Sequence, residues 1–193
     1  MKHFSLRFLL LLSLLVVIPY SQIFAQEKEQ DLLKSIFEEK DSILRSKIGT
    51  PFVDFNLIDL EMNEFTEKQL VGKVTLINFW FESCAPCVAE FADLNDLYEN
   101  IKDNPYFQFL SITTDSPEMA KVSKKKYKLP YPIYTASRKE CDRLIPYLGF
   151  PTTIITDKQG KIRFMKGGGY LEREKVAAQI EMYKQEVLKI LNE

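Results

Sequence analysis

The feature that most constrains this fold is a change of period around two cysteines. Residues 74–79, VTLINF, form a dense β-branched and aromatic run, the pattern of a strand buried on both faces. Cys84 and Cys87 follow almost at once, in the run WFESCAPC. In residues 86–101 the apolar positions Val88, Phe91, Leu94, Leu97 and Ile101 then recur at helical spacing. The order strand, C-x-x-C, helix places both sulfurs on the first turn of the helix. Unpaired backbone N–H groups and the positive end of the helix dipole stabilise a thiolate there.

Such a pair suits thiol–disulfide exchange. The first cysteine attacks a disulfide, and the second resolves the mixed disulfide from beneath. Pro86 lies in the first helical turn, where its missing N–H costs little. A purely structural disulfide would close only a tiny loop and add little stability. The resolving thiol must lose its proton as it attacks, so the site needs an acceptor. Glu90 lies three residues after Cys87, one turn on and on the same helix face. On spacing alone it is either that acceptor or a solvated surface carboxylate.

Composition narrows the chemistry. The chain has 193 residues, of which 46% are apolar and 27% charged, enough for one cored domain. Its one histidine is His3, near the N-terminus. The remainder therefore has no imidazole base for Ser-His or Cys-His catalysis and no His ligand for zinc. Three cysteines cannot make a four-cysteine metal site, and Val88 after Cys87 excludes C-x-x-C-H haem attachment. We expect no metal and no cofactor. The formal charge is −1, and loss of residues 1–25 with Lys2 and Arg7 moves it to near −3, so nucleic acid is not an expected partner.

Lys2, Arg7, the apolar run Phe8–Ile18, Pro19 and Ala25 make residues 1–25 read as a secretory signal peptide. The run is short of the ~20 residues a spanning helix needs, and an uncleaved anchor is the alternative. Residues 26–48 read as a helical segment that serves as a spacer, a dimer contact or a flap. Residues 49–193 read as one domain. Within it we expect a hairpin after Phe52 and strands at 106–112, 131–134, 152–156 and 162–165. Helices are expected from Ser116 to about Lys128, from Arg138 to Leu148 and over 172–192. The four-residue turn Asp157–Gly160 is too short for a crossover, so its two strands must be antiparallel and the sheet mixed.

The segment VTLINFWFESCAPCVAEF resembles the active-site segment of thioredoxins, and more closely that of the TlpA/ResA type of exported thiol–disulfide oxidoreductases. Asn78, Phe79 and Trp80 match that group's Asn-Phe-Trp run, and Glu90 matches the Glu it carries three residues after the second cysteine. Pro151, in GFPTTIITDKQGKI, matches the cis-proline that faces the dithiol in thioredoxin-like proteins. The resemblance covers about residues 48–190. It implies an α/β thioredoxin fold, a mixed central sheet flanked by helices, with an N-terminal hairpin and a helix–strand insertion near 116–135. It also implies Cys84, Cys87 and Glu90 as catalytic residues, with Cys84 and Cys87 as the redox disulfide. Phe150, Pro151 and Trp80 would then contact substrate. The expected partners are exported proteins with disulfides, apocytochrome c among them, and a membrane thiol donor. The expected location is periplasmic or otherwise extracytoplasmic, and the membrane is a partner only if the N-terminal segment stays uncleaved.

Two alternatives remain at this level. Peroxiredoxins, of the same fold family, carry a Thr three residues before the reactive cysteine and a Pro four further back; here those positions hold Phe81 and Ile77. A non-enzymatic thiol- or metal-binding module would reveal itself by tight stoichiometric copper binding. Cys141 shares a helical face with Leu144, Ile145 and Leu148 and reads as a buried inert thiol. The run KVSKKKYK at 121–128 reads as a solvated helix face, and Gly167–Gly169 as a turn.

Overall fold

A computed structural model describes residues 20–193 apart from Val53, with side chains from Ala25 onward. The charged start and apolar run expected of an export signal lie outside the described residues. Among the described residues, no helix is long and apolar enough to cross a membrane. Internal contacts divide the chain into two units that meet between Ile43 and Leu44.

The described part of the first unit is helical. Helix α1 spans Tyr20–Lys47 and exposes Leu32, Leu33, Ile36 and Phe37. It begins earlier than the helix expected over 26–48 and stops, as expected, just before Gly49, whose φ is +83°.

The second unit is built on one seven-stranded sheet. The strands are β1 (Asn56–Asp59), β2 (Glu64–Thr66), β3 (Val74–Trp80), β4 (Phe107–Thr113), β5 (Ile133–Thr135), β6 (Thr152–Thr156) and β7 (Ile162–Gly167). Their order across the sheet is β2-β1-β5-β4-β3-β6-β7. β3–β4 and β4–β5 are parallel, and every other pair is antiparallel. The sheet is therefore mixed, as the short 157–160 turn requires. The hairpin β1–β2 joins the sheet through β5, so the insertion that supplies β5 also carries the N-terminal hairpin.

Among the described residues, a short 3-10 helix (Glu67–Leu70) and four α-helices complete this unit: α2 (Ala85–Ile101), α3 (Pro117–Lys126), α4 (Arg138–Leu144) and α5 (Arg173–Leu191). α3 starts on a Ser116 side chain that accepts from the Met119 amide, with Pro117 in the first turn. α4 ends at Leu144 rather than at the expected Leu148. Pro146 disfavours helical backbone at Ile145, which turns away at φ −123° and ψ 58°.

All seven residues of β3 are buried. Successive side chains along a strand point to opposite faces, so β3 feeds two separate cores. Val74, Leu76 and Trp80 pack with α2 and α5 residues such as Phe91, Leu94, Ile180 and Tyr183. Ile77 and Phe79 pack with Phe52, Leu57, Leu70, Cys141 and Leu144.

Candidate active site

β3 runs straight into the dithiol. Residues 81–83 link Trp80 to Cys84, and the link is pinned from outside. The Glu82 amide donates to the Asp115 carboxylate at 2.8 Å, and the Glu82 carboxylate accepts from Lys126 at 2.9 Å and from the Tyr127 hydroxyl at 3.1 Å. These partners hold the Glu82 carboxyl below its ordinary range.

Cys84 is the N-cap of α2, and its sulfur accepts from the Cys87 amide at 3.3 Å. Cys84 and Cys87 are joined as a disulfide with their Cα atoms 5.2 Å apart. The sulfur of Cys84 thus sits where helix-end N–H groups stabilise negative charge once the bond is reduced. Both cysteines are almost fully covered, Cys84 being 6% exposed and Cys87 1%.

Glu90 lies one turn beyond Cys87 on the buried face of α2 and is itself only 1% exposed. Its Oε1 accepts from Gln179 Nε2 at 2.6 Å, and Oε2 is buried with no partner. Burial pushes its carboxyl up to about 8, although the amides of Asn78 and Gln179 and the charge of Lys166 pull the other way. The reading of Glu90 as a solvated surface residue is thereby removed. A carboxyl that titrates near neutrality can both take and release a proton there.

The Phe150–Pro151 bond is cis. The Pro151 carbonyl accepts from the Gly168 amide at 2.7 Å. The structure brings Pro151 and Glu90 together at Gly169. A Cβ there would lie 2.8 Å from Glu90 Oε1 and 2.8 Å from Pro151 Cγ, so only glycine leaves the approach open. The Phe150 ring stands edge-on to Phe81, in the link to Cys84, at 5.2 Å, and the Arg138 guanidinium lies over it at 4.9 Å.

Trp80 corrects the expectation of substrate contact. It is 0% exposed, donates its indole N–H to Ser111 at 2.6 Å and packs edge-on to Phe91 at 5.0 Å. Strand alternation turns its ring into the core under α2.

Two residues that the sequence reading did not single out complete the site. Gln179 and Tyr183 are buried on α5, and Gln179 Nε2 also lies 2.6 Å from the Tyr183 hydroxyl. The available signal was a glutamine within the stripe Val176, Ile180, Tyr183, Val187, where an apolar residue is the default. Among the described residues, no group of three His, Cys, Asp or Glu side chains is arranged to hold a metal ion.

A mixed sheet whose buried inner strand β3 delivers a helix-capping C-x-x-C pair, with a cis-proline just ahead of the neighbouring strand β6, defines a thioredoxin-like dithiol protein, and comparison with known proteins agrees. Residues 48–165 match the AhpC/TSA family, and the chain belongs to that family. The thiol–disulfide oxidoreductase ResA of Geobacillus thermodenitrificans is 28% identical over 185 residues, which are 95% of this chain and 97% of that protein. ResA of Bacillus thuringiensis subsp. konkukian is 28% identical over 145 residues, 74% of this chain and 80% of its own. A Chlorobium tepidum structure assigned as a thiol:disulfide interchange protein DsbE superposes with a TM-score of 0.65. That match has 22% identity and covers 75% of this chain and 97% of the other, which is a likeness of fold. The chain is a ResA-like thiol–disulfide oxidoreductase with Cys84 and Cys87 as its cysteine pair.

Proposed function

We propose that this enzyme reduces disulfides of exported proteins outside the cytoplasm. The observation that carries the reading is Glu90, a carboxyl buried one turn from Cys87 and pushed up to about 8. In the reduced enzyme the Cys84 thiolate attacks a substrate disulfide beside Phe150 and Pro151. A Cys84–substrate disulfide forms, and one substrate sulfur leaves as a thiolate. Cys87 then passes its proton to the Glu90 carboxylate and attacks Cys84. The second substrate sulfur leaves, and Cys84–Cys87 is the oxidised product. A membrane dithiol donor returns two electrons by the reverse exchange and is itself oxidised. Residues 1–25, read as an export signal, support a periplasmic or otherwise extracytoplasmic site of action, with exported proteins such as apocytochrome c as substrates. Pro86 before the second cysteine favours the reducing direction.

Peroxide reduction is less well supported. Ile77 lies in the sheet centre and Phe81 packs on Phe150, so neither position supplies the hydroxyl or the turn that chemistry uses.

Cys87→Ser in the exported chain should accumulate mixed disulfides through Cys84, identified by mass spectrometry of the trapped partners. Absence of any trapped partner under conditions where the wild type turns over contradicts the proposal.

A further inference from the structure

Outside α2 the Glu90 carboxyl is met by the Asn78 amide of β3 and by Gln179 of α5, 89 residues on in sequence. Gln179 Nε2 donates to Glu90 Oε1 at 2.6 Å and lies 2.6 Å from the Tyr183 hydroxyl and 3.4 Å from the Gly168 carbonyl. Gln179 is 4% exposed and Tyr183 1%. The two buried atoms of this network without a partner are Glu90 Oε2 and Gln179 Oε1. A buried amide oxygen and a buried carboxyl oxygen left bare are costly unless another state of the site uses them.

That state is the protonated one. An ionised Glu90 accepts only, and Gln179 Nε2 serves it. A protonated Glu90 carries an O–H that must donate. The same amide, turned over, presents Oε1 to that hydroxyl and to the hydroxyl of Tyr183. We propose that Gln179 is the positioning residue of the resolving step, its side-chain amide holding the Glu90 carboxyl in both of its protonation states. This rests on the reading of Glu90 as the proton acceptor for Cys87.

Gln179 is also where this network meets solvent. It lines an open groove of about 520 Å³ together with Lys166, Tyr170, Lys175, Ala178 and Met182. The titratable groups that surround Glu90 are Cys87 on its own helix, Tyr131 ahead of β5, Lys166 on β7 and Tyr183 on α5. Lys166 and Lys175 are drawn to the Tyr170 ring at 5.6 and 5.7 Å, and Arg173 is engaged by Asp93. Of the two neutral amides beside Glu90, Asn78 also donates to the Thr153 hydroxyl at 3.1 Å, while Gln179 bonds Oε1 directly at 2.6 Å and can donate or accept without changing charge.

The test is a single turnover of the reduced full chain with an aromatic disulfide reagent that releases one coloured thiolate per step. The first phase reports attack by Cys84 and the second reports resolution by Cys87. Glu90→Gln should abolish the pH step in the second phase. Gln179→Met should leave the first phase alone and move the midpoint of that step up by about one pH unit, the tenfold change in acidity expected when one charge-assisted hydrogen bond is lost. The double variant should match Glu90→Gln alone. Tyr183→Phe, which removes only the second anchor of the amide, should move the midpoint the same way by less. An unmoved midpoint in Gln179→Met and Tyr183→Phe, or equal slowing of both phases at every pH, overturns the role of Gln179 while leaving Glu90 in place. A wild-type second phase in Glu90→Gln removes the proton-acceptor reading itself, and Gln179 with it.

Discussion

The two faces of the sheet bury cysteine in opposite ways. On the α2/α5 face Cys84 and Cys87 sit at a helix start, among Glu90, Gln179, Tyr131 and Tyr183, three of which carry buried polar atoms without partners. On the other face Cys141 lies inside α4 among Leu144, Ile145 and Phe52, fully buried, and burial pushes its thiol up to about 12. Cys84 is nearly as covered as Cys141, so exposure does not separate them. What separates them is the backbone. A helix N-cap offers a sulfur an amide at 3.3 Å, whereas the N–H groups around Cys141 are already spent within α4. Reactivity here follows from the helix terminus that meets the sulfur and from the buried carboxyl and amide set beside it.

The largest expected effect contrasts the two cysteines directly. Cys84→Ser should lower disulfide turnover on the order of a thousand-fold or more, while Cys141→Ser keeps turnover within about twofold. Comparable losses in both would erase the distinction between the faces.

Next is the cost of burying Glu90. Its ordinary carboxyl value is 4.5 and its value in the fold is about 8. As pH rises between those values the unfolded chain gives up the proton while the folded chain keeps it. Stability therefore falls across that window and is lowest above it. Glu90→Gln cannot titrate and should remove the fall, raising stability of the oxidised protein at alkaline pH by on the order of a few kcal/mol. Denaturant unfolding of both proteins across the window measures this, and parallel pH curves would contradict it.

The smallest effect concerns the seam between Glu90 and Pro151. Gly169→Ala puts a methyl 2.8 Å from both, so one must move. A cost of about 1–3 kcal/mol and slower resolution are expected, read from unfolding and single-turnover rates. Cys141→Ala, on the packing face, should lower stability without touching the resolving rate.

Much of this was legible in sequence because the signals were local. β3 and β6 are dense in β-branched residues, α3 has its Ser-Pro start, and the spacing of Cys84, Cys87 and Glu90 lies within one helix. What was missed is non-local. Gln179 meets Glu90 across 89 residues, through the return of α5 over α2, and no spacing rule reaches that far. Trp80 was placed at the substrate surface by the resemblance of its Asn-Phe-Trp run; the pleat of β3, which runs to its end at Trp80, turns the ring inward instead. The premature end of α4 was legible in Pro146, but the apolar spacing of Leu144, Ile145 and Leu148 outweighed it.

The proposed role of Glu90 rests on a buried carboxyl poised near neutrality beside the dithiol. Carbon-13 NMR of the Glu90 side-chain carboxyl in the oxidised protein, followed through a pH titration and assigned by its loss in Glu90→Gln, tests it most directly. The expected midpoint lies near 8, well above the ordinary 4.5. A midpoint at the ordinary value would mean that Glu90 is ionised throughout the working range, and the proton-handling role assigned to it would fall.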